Sequence, residues 1–138
     1  MQFAQIRDRV EIGSSAAETV DYGGLTGMWV NSNPDTNGIA RIVILESEGA
    51  LSLQVYAIGP DGLIDWAAAP ASVFTSSPSS RVAAGFTCLF DFGFAETRLE
   101  GMLAKGLLVL AQFHTFKDDS GRADYFVREY FAMDHKRY

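Results

Sequence analysis

In this 138-residue chain the side chains best suited to chemistry lie inside apolar segments. His114 follows Gln112 at a spacing of two, so in an extended strand both share a face with Leu110 and Phe116. If that face lines an interior, an imidazole and an amide project into an apolar space, where the imidazole can act as acid or base. Asp91 stands between Phe90 and Phe92, one residue before Gly93, and aromatic neighbours would desolvate its carboxyl into a general base. Each has a plainer reading. A histidine can simply be satisfied in a core or face water, and an aspartate beside a glycine corner can accept backbone amides at a tight turn. Arg41 and Glu129 could point inward as a pair, against the commoner solvated state of both. Trp29, Tyr56, Trp66, Phe90 and Tyr125 offer rings for a flat or hydrophobic ligand, with Gln112 as a polar contact, or are plain core.

Other chemistries lack their parts. No Gly-rich phosphate loop, Gly-x-Ser-x-Gly elbow or His-Glu-x-x-His helix occurs. His114 and His135 are the only histidines, and Cys88 is the only cysteine. The expectation is therefore no metal, no cofactor and no intrachain disulfide, with Cys88 a small buried hydrophobe. Asn33 to Gly38 matches the first half of a calcium loop, but its twelfth position is Ile44 instead of a glutamate, so a polar turn is the better reading. A net charge of −6 would repel phosphate backbones, which argues against nucleic acid. No run approaches the roughly 18–20 apolar residues of a membrane span. Arg7, Asp8, Arg9 and Glu11 interrupt any secretory leader, so the expected location is cytoplasmic.

The elements that must position these residues are strands. The stretch 86–116 holds three apolar runs separated by Gly93 and by Lys105-Gly106, the form of a β-meander. Within it, Glu96, Arg98 and Glu100 alternate with Ala95, Thr97, Leu99 and Gly101, which places the first set toward water. Residues 107–111 do not alternate, so both their faces are expected to be covered. Further strands are expected at 25–31, 39–46, 51–58, around 72–75 and at 122–132, the fourth reached through an alanine-rich link after Leu63 to Trp66. Phe3, Ile6 and Val10, together with a capping box at Ser15 to Glu18, suggest short helical turns before Gly23-Gly24. Residues 1–24 thus read as an N-terminal plug or lid, and 25–132 as one barrel within a single domain.

In the first confident strand Gly27, Trp29 and Asn31 share a face, and Gly27-Met28-Trp29 resembles the Gly-x-Trp that opens the first barrel strand in the lipocalin and avidin branches of the calycin superfamily. In lipocalins a late basic residue packs across that tryptophan, and Arg128 stands in the last expected strand. The resemblance implies an all-β, eight-stranded antiparallel up-and-down β-barrel, closed at one end by Trp29 and Arg128, with Gly27 leaving room for the ring. Such a barrel is either filled by side chains or holds one small ligand. The functional expectation is a calycin-like barrel binding a small hydrophobic or aromatic molecule. Its enzymatic version is a cofactor-free cyclase, isomerase or hydrolyase using His114 and Asp91. The alternatives are a non-catalytic carrier and a solid-core interaction module forming a homodimer through an outer sheet face.

Overall fold

The computed structural model describes residues 20–134. The helical turns expected from Phe3 to Glu18 lie outside the described residues. Eight strands follow one another in chain order: β1 (Gly27–Asn31), β2 (Ile39–Ser47), β3 (Ala50–Gly59), β4 (Gly62–Thr75), β5 (Ala83–Asp91), β6 (Ala95–Ala104), β7 (Leu107–Phe116) and β8 (Tyr125–Met133). Every neighbouring pair is antiparallel, and β8 returns to β1 through Trp29↔Met133, Val30↔Ala132 and Asn31↔Phe131, which closes the sheet into an up-and-down barrel. Closure leaves no strand edge at that seam to attract another chain. Among the described residues there is no helix, and so none long and apolar enough to cross a membrane.

Alternation sets the inside. In β3, Leu51, Leu53, Val55 and Ala57 are buried, while the residues between them are half-buried or exposed. In β6, Ala95, Thr97, Leu99 and Gly101 face inward, as their spacing with the charged residues predicts. β7 alternates too: Leu108 and Leu110 are buried, but Leu107 is exposed and Val109 half-buried, so the outer face expected to be covered is only partly so. On the outside a row of partners, Leu89↔Arg98↔Phe113↔Phe126, crosses four strands, with the two phenyl rings stacked 5.6 Å apart.

β4 differs most from expectation. Residues 62–75 form one 14-residue strand, not two pieces joined by an alanine-rich link. A bulge at Ala67, whose φ is +67°, absorbs one residue, so that Trp66 and Ala69 both turn inward. Alanine and proline have weak strand preference, and pairing of Ser52 with Pro70 and Leu53 with Ala69 overrides it.

The barrel is packed from one end only. Leu25, Ile42, Ile44, Leu53, Phe86 and Leu108 have essentially no exposure, and each buried aliphatic or aromatic side chain contributes about 1.5–3 kcal/mol. Phe86 lies against Gly101, where a Cβ would stand 2.5 Å from its ring, so only glycine admits it without a shift. Val20 and Tyr22 pack on this end, Asp21 bridges to Val82, and the Tyr22 hydroxyl donates to the Gly49 carbonyl at 2.8 Å. The loops at the other end are 32–38, 60–61, 92–94 and 117–124.

Trp29 belongs to the packed end, where its indole N–H donates to the Leu25 carbonyl at 2.8 Å. Arg128 pairs with Ala111 and is exposed, two residues from the mouth-side Phe126 and on the face opposite to inward Glu129 and Phe131. The cation–aromatic contacts among the described residues fall on Tyr56, Phe94, Phe113 and Phe116 instead of Trp29. The expected Trp29–Arg128 closure is therefore replaced by Leu25, Trp29 and the chain around Tyr22. Gly27 does lead Trp29 on the same face, with φ at +130°, a conformation that side chains disfavour.

Candidate functional site

The inward residues change character along the strands. Toward the loops 32–38 and 117–124, the aliphatic filling gives way to a cavity of about 920 Å³. Its deeper lining includes Ile39, Ala57, Thr97, Gln112, Val127 and Glu129. Its mouth is aromatic, with Trp66, Phe92, Phe94, Phe116 and Tyr125 around His114. Among the described residues, no lysine or arginine lines it.

Glu129 is the most elaborately held group in the cavity. On β8 it shares a face with Val127 and Phe131, so its parity, fixed by the Phe131 anchor in the packed end, turns it inward. Its Oε1 accepts from Gln112 Nε2 at 3.0 Å, and its Oε2 accepts from Asn31 Nδ2 at 2.9 Å and Thr36 Oγ1 at 2.8 Å. Those donors come from β7, β1 and the loop after β1, so the carboxylate ties the last strand to the first. The loop is shaped for this. Asn31 Oδ1 accepts from the Asn33 amide, Asn33 Oδ1 from the Asp35 amide, and Thr36 Oγ1 from the Gly38 amide, successive side-chain turns that deliver the Thr36 hydroxyl to Glu129. The residues read as half a calcium loop thus serve as a polar turn that orients a carboxylate.

Burial pushes the Glu129 carboxyl upward, but donation from Gln112, Asn31 and Thr36 more than offsets this and holds it below the usual glutamate range. It is therefore ionised at neutral pH. All three donors are neutral, so its charge is solvated by hydrogen bonds and not cancelled. Gln112 is only 2% exposed, and Asn31 also donates to the Ile39 carbonyl, so neither amide has slack to turn away.

His114 lies toward the mouth. Its Nδ1 is 2.9 Å from Thr97 Oγ1 on the neighbouring strand, and its ring stacks on Tyr125 with centroids 4.4 Å apart. Burial lowers its pKa, which favours the neutral imidazole at pH 7. The Thr97 contact engages Nδ1 and leaves Nε2 as the other ring nitrogen, on a side chain that lines the cavity.

The wall beside Trp66 is not fully laddered. β4 and β5 pair only from Ala71↔Cys88 to Thr75↔Ala83, so nearer the mouth residues 62–70 pair with β3 alone and 89–91 with β6 alone. Trp66 occupies this seam, edge-on to Phe90 at 5.4 Å and to Phe92 at 5.0 Å. Pro70, which has no N–H for a ladder, stands where the pairing stops.

Of the residues singled out from sequence, His114, Gln112, Trp66 and Tyr125 line the cavity, and Phe90 backs Trp66 from the core. Asp91 is elsewhere: it is exposed at the β5–β6 corner, accepting from Lys117 Nζ at 2.6 Å and from the Gly93 amide at 2.9 Å. Those two contacts hold its carboxyl below the usual aspartate range, the Lys117 bond foremost. Parity explains its absence from the cavity, because Phe90 and Cys88 take the inward positions of β5. Tyr56 faces outward under the Arg41 guanidinium at 5.4 Å, so Arg41 does not meet Glu129. Trp29 serves the packed end. Sequence reasoning missed Asn31, Thr36 and Thr97 as site residues; the signal available for Asn31 was that it shares a face with Trp29.

The chain matches no protein-family model, no curated protein and no solved structure.

Proposed function

We propose that the barrel binds a small molecule with an apolar or aromatic body in its open half, in the manner of a calycin-type binding protein. The observation that carries this is the interior that the described residues leave half-empty: about 920 Å³ lies within the range of roughly 300–1,000 Å³ typical of small-molecule sites, and its mouth is lined by aromatic rings. A solid-core interaction module would have that space filled. The eight-stranded up-and-down closure and Gly27-Met28-Trp29 in the first strand support the calycin reading. A single cysteine with no disulfide partner suits a reducing, cytoplasmic setting.

The test is titration with the neutral, environment-sensitive dye N-phenylnaphthylamine. Saturable fluorescence enhancement with one site per chain is expected, weakened by Trp66→Ala. An absence of saturable binding at any accessible concentration would overturn the reading.

A second reading is favoured by one observation: a neutral imidazole and an ionised carboxylate line the same cavity. In a cofactor-free isomerase or cyclase, His114 would move the proton and the cavity would shape the substrate, with Glu129 taking the place expected for Asp91. Loss of turnover of a bound substrate in His114→Ala, with its binding retained, would support this version; unchanged turnover would remove His114 from the role, and a bound ligand released unaltered by the unaltered protein would leave the carrier.

A further inference from the structure

Deepening that binding reading, we infer that the ligand carries a cationic nitrogen, a protonated amine or amidinium, seated against the Glu129 carboxylate with its apolar body toward the aromatic mouth. The argument begins with charge. Glu129 keeps a full negative charge because its three partners are neutral amide and hydroxyl donors. Among the described residues, the two cations of the mouth loop 117–124 are already engaged: Arg122 is held by Asp118 at 2.9 Å and lies over the Phe116 ring at 4.2 Å, and Lys117 is bound to Asp91. Arg41, the candidate partner in sequence, is outside the barrel over Tyr56. The carboxylate is thus a fixed anion, already solvated by neutral donors and without a counter-charge among the described residues, and a cation placed beside it gains a charge-assisted hydrogen bond.

Geometry leaves a place for one. A carboxylate offers roughly four acceptor positions. Oε2 accepts two bonds and Oε1 one, so among the described residues one position remains, on Oε1. The space beside Oε1 is kept by Gly38, where a Cβ would stand 3.5 Å from that atom. The walls suit the same guest, since Trp66, Phe92 and Tyr125 present aromatic rings to the cavity, and ring faces attract cations. A neutral donor could fill the open position on Oε1 but would gain neither the charge-assisted bond nor the attraction of the ring faces, and an anion would meet Glu129 together with Asp35 and Asp65, which also line the cavity.

Three matched competitors test this by displacing N-phenylnaphthylamine: naphthylethylamine, naphthylethanol and naphthylacetate share one ring body and differ in head-group charge. The amine is expected to displace the dye at least about tenfold more tightly than the alcohol, and the acetate to be weakest. In Glu129→Gln the ratio of amine to alcohol constants collapses toward one. In Gly38→Ala, which leaves the carboxylate in place but adds a methyl beside Oε1, the ratio falls as well. Each protein is checked by thermal melting so that a constant is read only from folded protein. If the alcohol competes as well as the amine in the unaltered protein, the cation inference is overturned while the binding reading stands. If the dye itself does not bind, the binding reading fails and takes this inference with it.

Discussion

The two halves of the barrel are built on the same eight strands yet solve opposite problems. At the packed end, Leu25, Trp29, Ile44, Leu53, Phe86 and Leu108 fill the interior, and a glycine at 101 is needed to fit one ring. At the open end the inward positions carry Asn31, Thr97, Gln112, His114 and Glu129, every one with a hydrogen-bond partner, around space that no described residue fills. No buried side-chain nitrogen or oxygen among the described residues is left without a partner. The difference teaches how the labour divides: the packed half supplies the stability that lets the other half remain hollow and charged.

If that division is right, equal truncations at the two ends have unequal costs. Phe131→Ala, which removes a fully buried ring where β8 meets β1, is expected to lower stability by about 3–5 kcal/mol in denaturant unfolding. Phe94→Ala at the exposed mouth is expected to change it by less than about 1 kcal/mol while weakening dye binding. Similar costs for both would break the comparison.

The polar network is the next largest effect. Glu129→Ala removes the acceptor of the Gln112 amide and one of the two acceptors of the Asn31 amide near the barrel centre, at about 1–3 kcal/mol for a buried donor left without an acceptor. The same carboxylate predicts a pH dependence. Its folded-state pKa is depressed below the ordinary 4.5, so the unfolded chain takes up the proton first. Its stabilising contribution is complete above about that value and is lost as pH falls through the folded pKa. The packed half shows the opposite sign. Burial raises the Cys88 thiol from 9.0 to about 11, so its contribution is complete below 9.0 and is lost as pH rises toward about 11. Melting temperatures of the unaltered protein, Glu129→Gln and Cys88→Ser across pH separate the acid and alkaline limbs: each variant is expected to flatten its own limb alone.

The smallest effect concerns Arg128. Because it lies on the outer face away from Trp29, Arg128→Ala is expected to change stability by no more than about 0.5 kcal/mol. A loss of several times that would restore a role in closing the packed end.

How far these features were legible follows from what alternation can report. Where charge and apolarity alternate cleanly, as in Ala95 to Gly101, the sequence names the inward face, and that face carries Thr97. His114 and Gln112 were recognised as one face from their spacing of two, the meander and the count of eight strands followed from the turns, and closure was what the Gly27-Met28-Trp29 resemblance implied. On β8 both faces carry aromatic residues, and Phe126 and Tyr130 are 61% and 42% exposed, so hydrophobicity could not tell which way Glu129 pointed. Bulges defeat the pattern elsewhere. One between Ile39 and Arg41 shifts the register of β2 against β3, and another at Ala67 joins two segments that appeared separate. The distance between Trp29 and Arg128 is a matter of position along the barrel axis, which two short motifs do not encode.

The two tryptophans allow both halves to be read in one experiment, since Trp29 lies in the packed end and Trp66 at the cavity wall. A proton–nitrogen correlation spectrum should show their two indole N–H signals, assigned with Trp66→Phe. On titration with N-phenylnaphthylamine the Trp66 signal is expected to shift progressively to saturation while the Trp29 signal, bonded to the Leu25 carbonyl, stays in place. A shift of Trp29 with Trp66 unmoved, or no shift of either at saturating dye, would contradict a hollow, ligand-accepting open half.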